Sequence, residues 1–399
     1  MFRHFAVSVA VAIFLTACSH ATSSNPLPNG ASAQRIAPAS GSSFKSLFSF
    51  NGTNGALPSG VVALGRQLYG TTGEFGASGC DYQGKGCGVI YELSFAGRER
   101  TLHRFDARAN GSSPNEPLTY VPNLFYGTTS YGGSHGAGTI FEMTPAGKVT
   151  VLYTFKGQPD GAGVFSSLTD VDGVFYGTTL TGGTNNQGTV FSVTTSGKEQ
   201  VLYSFTGKTD GAFPDASLIA VNGTLYGTAY EGGARGRGDV FSITTTGTFQ
   251  TVYSFKYGLD GAYPTAGLTA VNGTLYGVTS DGGDPACKRY RCGTVFAING
   301  SKETVLYRFK GGADGEHPGA ALTYANGFLY GTAETGGADG AGTIFSLTPS
   351  GGESVLYTFT GGSDGAFPDS ELTDAGGVLY GTTQQGGTSG KGAVYALTP

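Results

Sequence analysis

Several features that settle a function at sight are missing from this chain. It has no Gly-x-Ser-x-Gly elbow and no phosphate-binding loop, so neither of those catalytic signatures is available. His103, His135 and His317 fall in different parts of the chain with no ligand spacing, and each reads as a surface histidine. The cysteines lack the tight CxxC spacing of a zinc site. No helical period appears anywhere, which excludes a helical bundle. Beyond the N-terminus no stretch is long or apolar enough to cross a bilayer. The formal net charge of −5 argues against general affinity for nucleic acid or an anionic membrane surface.

What is present begins with an export signal. Arg3, the apolar run from Phe5 to Leu15 and a small-residue site form a secretory signal too short to span a membrane. Leu15-Thr16-Ala17-Cys18 resembles a bacterial lipobox, in which Cys18 is lipidated and becomes the first mature residue. Cleavage after Ala21 would instead discard Cys18. The expected organisation is a lipoprotein signal at 1–17, a disordered tether at 18–43 and a folded part at 44–399. The tether is rich in Ser, Ala, Pro and Asn and cannot bury enough surface to order itself.

The 70 glycines suggest low complexity, yet the 26 Phe and 22 Tyr recur on a fixed period. Leu/Phe-Tyr-Gly occurs around Tyr69, Tyr126, Tyr176, Tyr226, Tyr276, Tyr330 and Tyr380. In residues 217–255, Ser217–Val221 reads as a strand, Asn222-Gly223 as a hairpin turn and Thr224–Thr228 as the returning strand. A Gly-rich loop, Asp239–Thr244 and Phe249–Phe255 follow. Four strands per repeat, apolar on both faces, predict a blade packed between two neighbours. The fourth-strand pattern appears first at Phe44–Phe50, and the chain stops after a third strand, Ala393–Thr398. The fold class is therefore all-β: a seven-bladed propeller closed by the N-terminal strand pairing in the last blade.

The unit Leu-Tyr-Gly-Thr-Thr…Gly-Gly…Gly-Thr-Val-Phe…Val-Leu-Tyr-Ser-Phe…Asp-Gly-Ala-Phe-Pro resembles the GloVer-type tandem repeat of bacterial exported proteins. That resemblance covers residues 44–399. It implies export and surface anchoring and no particular activity. The strand order is similar to kelch propellers by analogy only.

Cys80 with Cys87, and Cys287 with Cys292, each sit inside an insertion between second and third strands, and two local disulfides are expected. Asp160, Asp210, Asp260, Asp314 and Asp364 read as turn formers rather than calcium ligands, because Asn54 and Asn110 replace them in the first units.

Function should lie where the units differ. One candidate is basic: Arg235, Arg237, Lys288, Arg289, Tyr290 and Arg291 crowd one sector and suit an anionic ligand. The other is axial: Tyr120, Asp170, Tyr324 and Asp374 share one first-strand position, with Asp215, Asp369 and Glu371 near the strand entrance. Carboxylates with tyrosines around a funnel suit a sugar or a cation, or acid–base glycoside cleavage. The leading reading is an extracytoplasmic, lipid-anchored binding module, expected to be monomeric and without cofactor or metal. Its ligand is an acidic glycan or a protein partner. A glycan-processing enzyme and a structural envelope protein are the alternatives. The expected location is the outer membrane or cell surface, otherwise the periplasm or medium.

Overall fold

Seven antiparallel four-stranded sheets follow one another along the chain, as the seven-fold recurrence predicts. The computed structural model describes residues 41–76, 86–285, 287 and 292–399, all within the compact unit Arg35–Pro399. The signal segment, Cys18 and most of the tether lie outside the described residues. Among the described residues there is no α-helix, only one 3-10 turn at Gly258–Asp260.

Blade 4 shows why each repeat folds as it does. Its strands are Ile219–Val221, Thr224–Ala229, Asp239–Thr244 and Phe249–Ser254, hydrogen-bonded in that order. The first turn places Asn222 at φ 50° and Gly223 at φ 77°, the left-handed pair that a tight hairpin requires. The first strand is shorter than the sequence suggests. Ser217 is turned to its neighbour, where its Oγ accepts the Ser167 N–H at 2.9 Å. The Gly of the Tyr-Gly pair has a steric cause: a Cβ at Gly227 would lie 2.6 Å from both Leu218 Cδ2 and Phe241 Cζ. Side chains alternate along the third strand, so Phe241 and Ile243 join one apolar cluster and Val240 another. Seven such clusters lie between successive blades.

Blade 7 is composite. Thr373–Asp374, Leu379–Thr383 and Ala393–Thr398 are joined by Ser43–Ser49 as the fourth strand, antiparallel to Ala393–Thr398. Threonine hydroxyls then tie blade to blade. Thr128, Thr178 and Thr228 donate to the carbonyls of Ser166, Ala216 and Ala266 at 3.1, 3.0 and 3.0 Å. Thr382 donates to Pro58 at 3.1 Å, joining blade 7 to blade 1. Each such bond contributes about 1 kcal/mol net.

First strands of neighbouring blades touch around the axis. The connection after each fourth strand bridges the loop after the next second strand, as in Ala212 with Glu231, Ala262 with Asp281 and Ala366 with Gln385. Both variable connections thus share one face, and the hairpins occupy the other. No helix among the described residues is long and apolar enough to cross a membrane.

Candidate functional site

The Asp-Gly motifs are turns, as read from the sequence. Tyr153, Tyr203, Tyr253 and Tyr307 each donate to the Oδ2 of Asp160, Asp210, Asp260 and Asp314, at 2.8 to 2.9 Å. The same Oδ2 accepts a backbone N–H from four residues earlier, such as Lys256 N at 3.0 Å. Blade 1 substitutes both partners together: Asn110 Nδ2 lies 3.0 Å from His103 Nε2, and its Oδ1 accepts the Asp106 N–H. Each turn carboxylate is therefore already committed to its own loop.

The first-strand candidates lie at the hairpin end. Asp170 Oδ1 accepts the Gly173 N–H at 3.0 Å, and Asp374 Oδ1 accepts the Gly377 N–H at 2.9 Å. The Tyr120 hydroxyl accepts the Asn123 N–H at 3.3 Å, and Tyr120 and Tyr324 are exposed. Tyr120, Asp170 and Asp374 thus cap turns, at the end of the first strands opposite the strand-entrance carboxylates. A shallow concavity nearby, bordered by Phe328, Tyr330 and Leu356, carries no charged side chain.

The basic sector is only partly described. Lys288, Arg289, Tyr290 and Arg291 lie outside the described residues. Arg235 is exposed. Arg237 is engaged within the loop face: its guanidinium packs over Tyr257 at 4.7 Å and Tyr263 at 5.5 Å and donates to the Tyr263 hydroxyl. Stacking of this kind suits a planar guanidinium and leaves less of it for a ligand. Cys287 and Cys292 form a disulfide with S–S 2.01 Å. That bond points to an oxidising, extracytoplasmic environment. Cys87 is buried and disulfide-bonded. Its expected partner, Cys80, lies outside the described residues.

The loop end of the axis gathers several raised carboxylates. Here Asp215, Asp369 and Glu371 precede first strands of blades 4 and 7, as the sequence suggests. Two further acids join them: Glu116 before blade 2 and Glu334 after the second strand of blade 6. Burial first, then the charges of Asp369, Asp215 and Glu371, raises Glu116 far above the usual carboxylate range. Burial pushes Asp215 up to about 7. The surrounding wall, then the charges of Glu334 and Asp215, raises Asp369. Glu371 and Glu334 are raised by the same desolvation. Asp369 and Glu371 are exposed, which places them at an open mouth. Asp369 accepts from Gln384 Nε2 at 2.9 Å, whereas the buried Oδ1 of Asp215 accepts no hydrogen bond. Among the described residues, no ion pair joins any of the five to a base.

Aromatic rings stand on the same rim. Tyr230 and Tyr263 are 5.2 Å apart, and the Tyr230 hydroxyl is raised by burial and by the charges of Asp281 and Asp215. Phe213, Tyr263, His317 and Phe367 each precede a proline with φ between 54° and 57°. That left-handed conformation is strained for bulky residues. The signal for Glu334 was available: its counterparts are Gly73, Ser130, Leu180, Tyr230, Ser280 and Gln384. The signal for Glu116 was available: its counterparts are Ser59, Ser166, Ala216, Ala266, Ala320 and Ser370.

A family model of the Gloeobacter/Verrucomicrobia repeat matches residues 29–175, 158–323 and 286–399. No curated protein matches. Among solved structures, the chain is similar to a puromycin-hydrolyzing peptidase of Mycobacterium tuberculosis, at 13% identity and TM-score 0.50, over 85% of this chain and 52% of that one. It is also similar to a puromycin hydrolase, at 13% identity and TM-score 0.52, over 83% and 50% of the respective chains. The chain thus spans about half the length of those structures, and the likeness is one of fold.

Proposed function

The chain belongs to the Gloeobacter/Verrucomicrobia repeat family, and from that premise we propose that it is an extracytoplasmic binding module with its ligand site at the loop-face mouth of the axis. One observation carries this reading. Five carboxylates from blades 2, 4, 6 and 7 converge where the repeat otherwise places small or neutral residues, and like charges crowded together cost stability. Such a cost is retained at sites that act on something else. The rigid ring supplies a fixed frame, and its loops supply the variation.

Anchoring through lipidated Cys18 is part of the same proposal. It is supported by the lipobox-like Leu15-Thr16-Ala17-Cys18 and by the disulfide, which suits an exported protein. Labelling with a radioactive fatty acid should mark the parent and not Cys18→Ser. Equal labelling would remove the anchor from the account.

A glycan-processing role is a second reading, favoured by Asp369 and Glu334, two raised carboxyls, the charge of Glu334 contributing to the rise at Asp369. An array of glycans, polyanions and polycations separates the readings. A hit lost in Asp215→Asn/Asp369→Asn and kept in Arg235→Glu supports the axial site. A hit with the opposite pattern moves the site to the basic sector. Cleavage of an arrayed glycan that stops in Asp369→Asn favours the enzyme.

A further inference from the structure

We infer that the hairpin face of the ring docks on an anionic lipid surface, with the loop face turned away from it. This rests on the anchor proposed at Cys18, and the direction follows from the strands. In blade 4, Thr244 ends the third strand opposite Thr224, beside the hairpin turn. Leu397 and Leu379 pair in the same way in blade 7. Ser43 pairs with Thr398 at that end, and Ser49 with Ala393 at the other. The chain therefore enters the ring at its hairpin face. Ser42 Oγ donates to the Leu356 carbonyl at 3.2 Å, which ties the entering chain to blade 6. A flexible coil from Cys18 to Ser42 would average roughly 25–30 Å end to end, short enough to keep that face near the lipid.

The exposed side chains of this face are the independent observation. The turn between third and fourth strands needs only a backbone N–H at its last position: Thr248 N and Gly352 N donate to Thr244 and Thr348 Oγ1, each at 3.0 Å. Arg98, Lys148 and Lys198 make the same backbone bond at 3.1, 3.3 and 3.2 Å. The turn does not require their charge, and their side chains are exposed. Lys302 in the blade 5 turn and Arg66 in the blade 1 hairpin are exposed beside them. Among the described residues no ion pair holds any of the five. The glutamates that follow are engaged elsewhere: Glu199 and Glu303 bury Oε1 in the seams, and Glu99 Oε1 accepts from Thr101 Oγ1 at 2.9 Å. The exposed acids of this face are Asp170, Asp172 and Asp374, two of them committed to hairpin N–H groups. Blade 6, where the chain enters, adds apolar rings: Tyr324 and Phe328 are 41% and 40% exposed, and Phe328 borders the concavity that carries no charged side chain. Free cations beside exposed aromatics suit a lipid headgroup layer. The net charge of −5 belongs to the whole chain. The turn aspartates and the strand-entrance carboxylates lie on the loop face, which an anionic surface repels.

The full chain purified from host membranes tests this in vesicles of phosphatidylcholine, alone or mixed with phosphatidylglycerol. A donor dye is placed on Thr195→Cys, in a hairpin-face turn, or on Thr184→Cys, in a loop-face connection, with an acceptor on the lipid headgroups. The blade separates the two labels by roughly 20 Å. Energy transfer should be about twofold greater from Thr195→Cys, should rise when phosphatidylglycerol is added, and should lose that rise in high salt. Arg66→Glu/Arg98→Glu/Lys148→Glu/Lys198→Glu/Lys302→Glu should also lose the rise, while still floating with neutral vesicles through the anchor. Equal transfer from the two labels, or greater transfer from Thr184→Cys, would overturn the inference. So would a rise that survives the charge reversal. Failure to float with neutral vesicles would refute the anchor. Binding to anionic vesicles with transfer still favouring Thr195→Cys would then uphold the docking face, and no binding there would overturn it as well. Thermal melts confirm that each variant is folded.

Discussion

Tyr91 and Tyr395 occupy a place where the other five blades have Phe141, Phe191, Phe241, Phe296 and Phe345. Both hydroxyls are buried without a partner, pressed against Gly70 and Gly381. Desolvation raises both phenols far above their usual range. Tyr91→Phe and Tyr395→Phe should each raise stability by about 1 kcal/mol, read as a higher midpoint in urea. A clear loss would show that the hydroxyl has a partner after all. Asp260→Ala removes acceptors for Tyr253 and Lys256 N and should cost about 2 kcal/mol. Chelators should leave the melting temperature unchanged, since these acids serve turns.

The same scale explains what could be read in advance. Asp before Gly was legible as a turn because its chemistry is local. Asp170 and Asp374 could be aligned but not interpreted from sequence, since a carboxylate lining a channel and one capping a hairpin share the same pattern, and the structure has them capping. Asp215, Asp369 and Glu371 were legible by their place before the first strand. Glu334 and Glu116 were overlooked although each is the sole carboxylate at its repeat position.

Among elements, the seams between fourth strands differ by design of a single position. Phe249 stacks on Tyr203 at 4.1 Å and Phe44 on Tyr357 at 3.7 Å. Glu199, Glu303 and Glu353 take that place in blades 3, 5 and 6, each with Oε1 buried and unpaired. Burial first, then Asp160, Asp260 or Asp314, pushes these acids up to about 7. A carboxylate raised in the fold binds more protons there than in the unfolded chain. Stability is therefore highest near pH 5 and falls as pH rises through about 7. Melting curves from pH 5 to 8 should decline by a few degrees, and the triple variant Glu199→Gln/Glu303→Gln/Glu353→Gln should make the decline shallower, the remainder belonging to Asp215, Asp369 and Glu371. A profile that rises across the window would contradict the seam assignment. The short Cys287–Cys292 loop should contribute about 2 kcal/mol, lost on reduction.

For the whole molecule, strand periodicity and seven-fold recurrence were enough to reach the propeller, because each blade is specified locally and packed by its neighbours. Ser43–Ser49 supplies the outer strand of blade 7, so deleting residues 43–50 should expose the edge of Ala393–Thr398 and turn a monodisperse protein into aggregates. Residue patterns within one repeat reveal the scaffold. The acidic mouth exists only when blades 2, 4, 6 and 7 surround one axis.

Hydrogen exchange with and without an array-selected ligand locates the site most directly. The account predicts slowed exchange at Asp215–Leu218 and Asp369–Leu372, with the hairpins Asp170–Gly173 and Asp374–Gly377 unchanged. Protection confined to those hairpins, or to the outer seams, would contradict it.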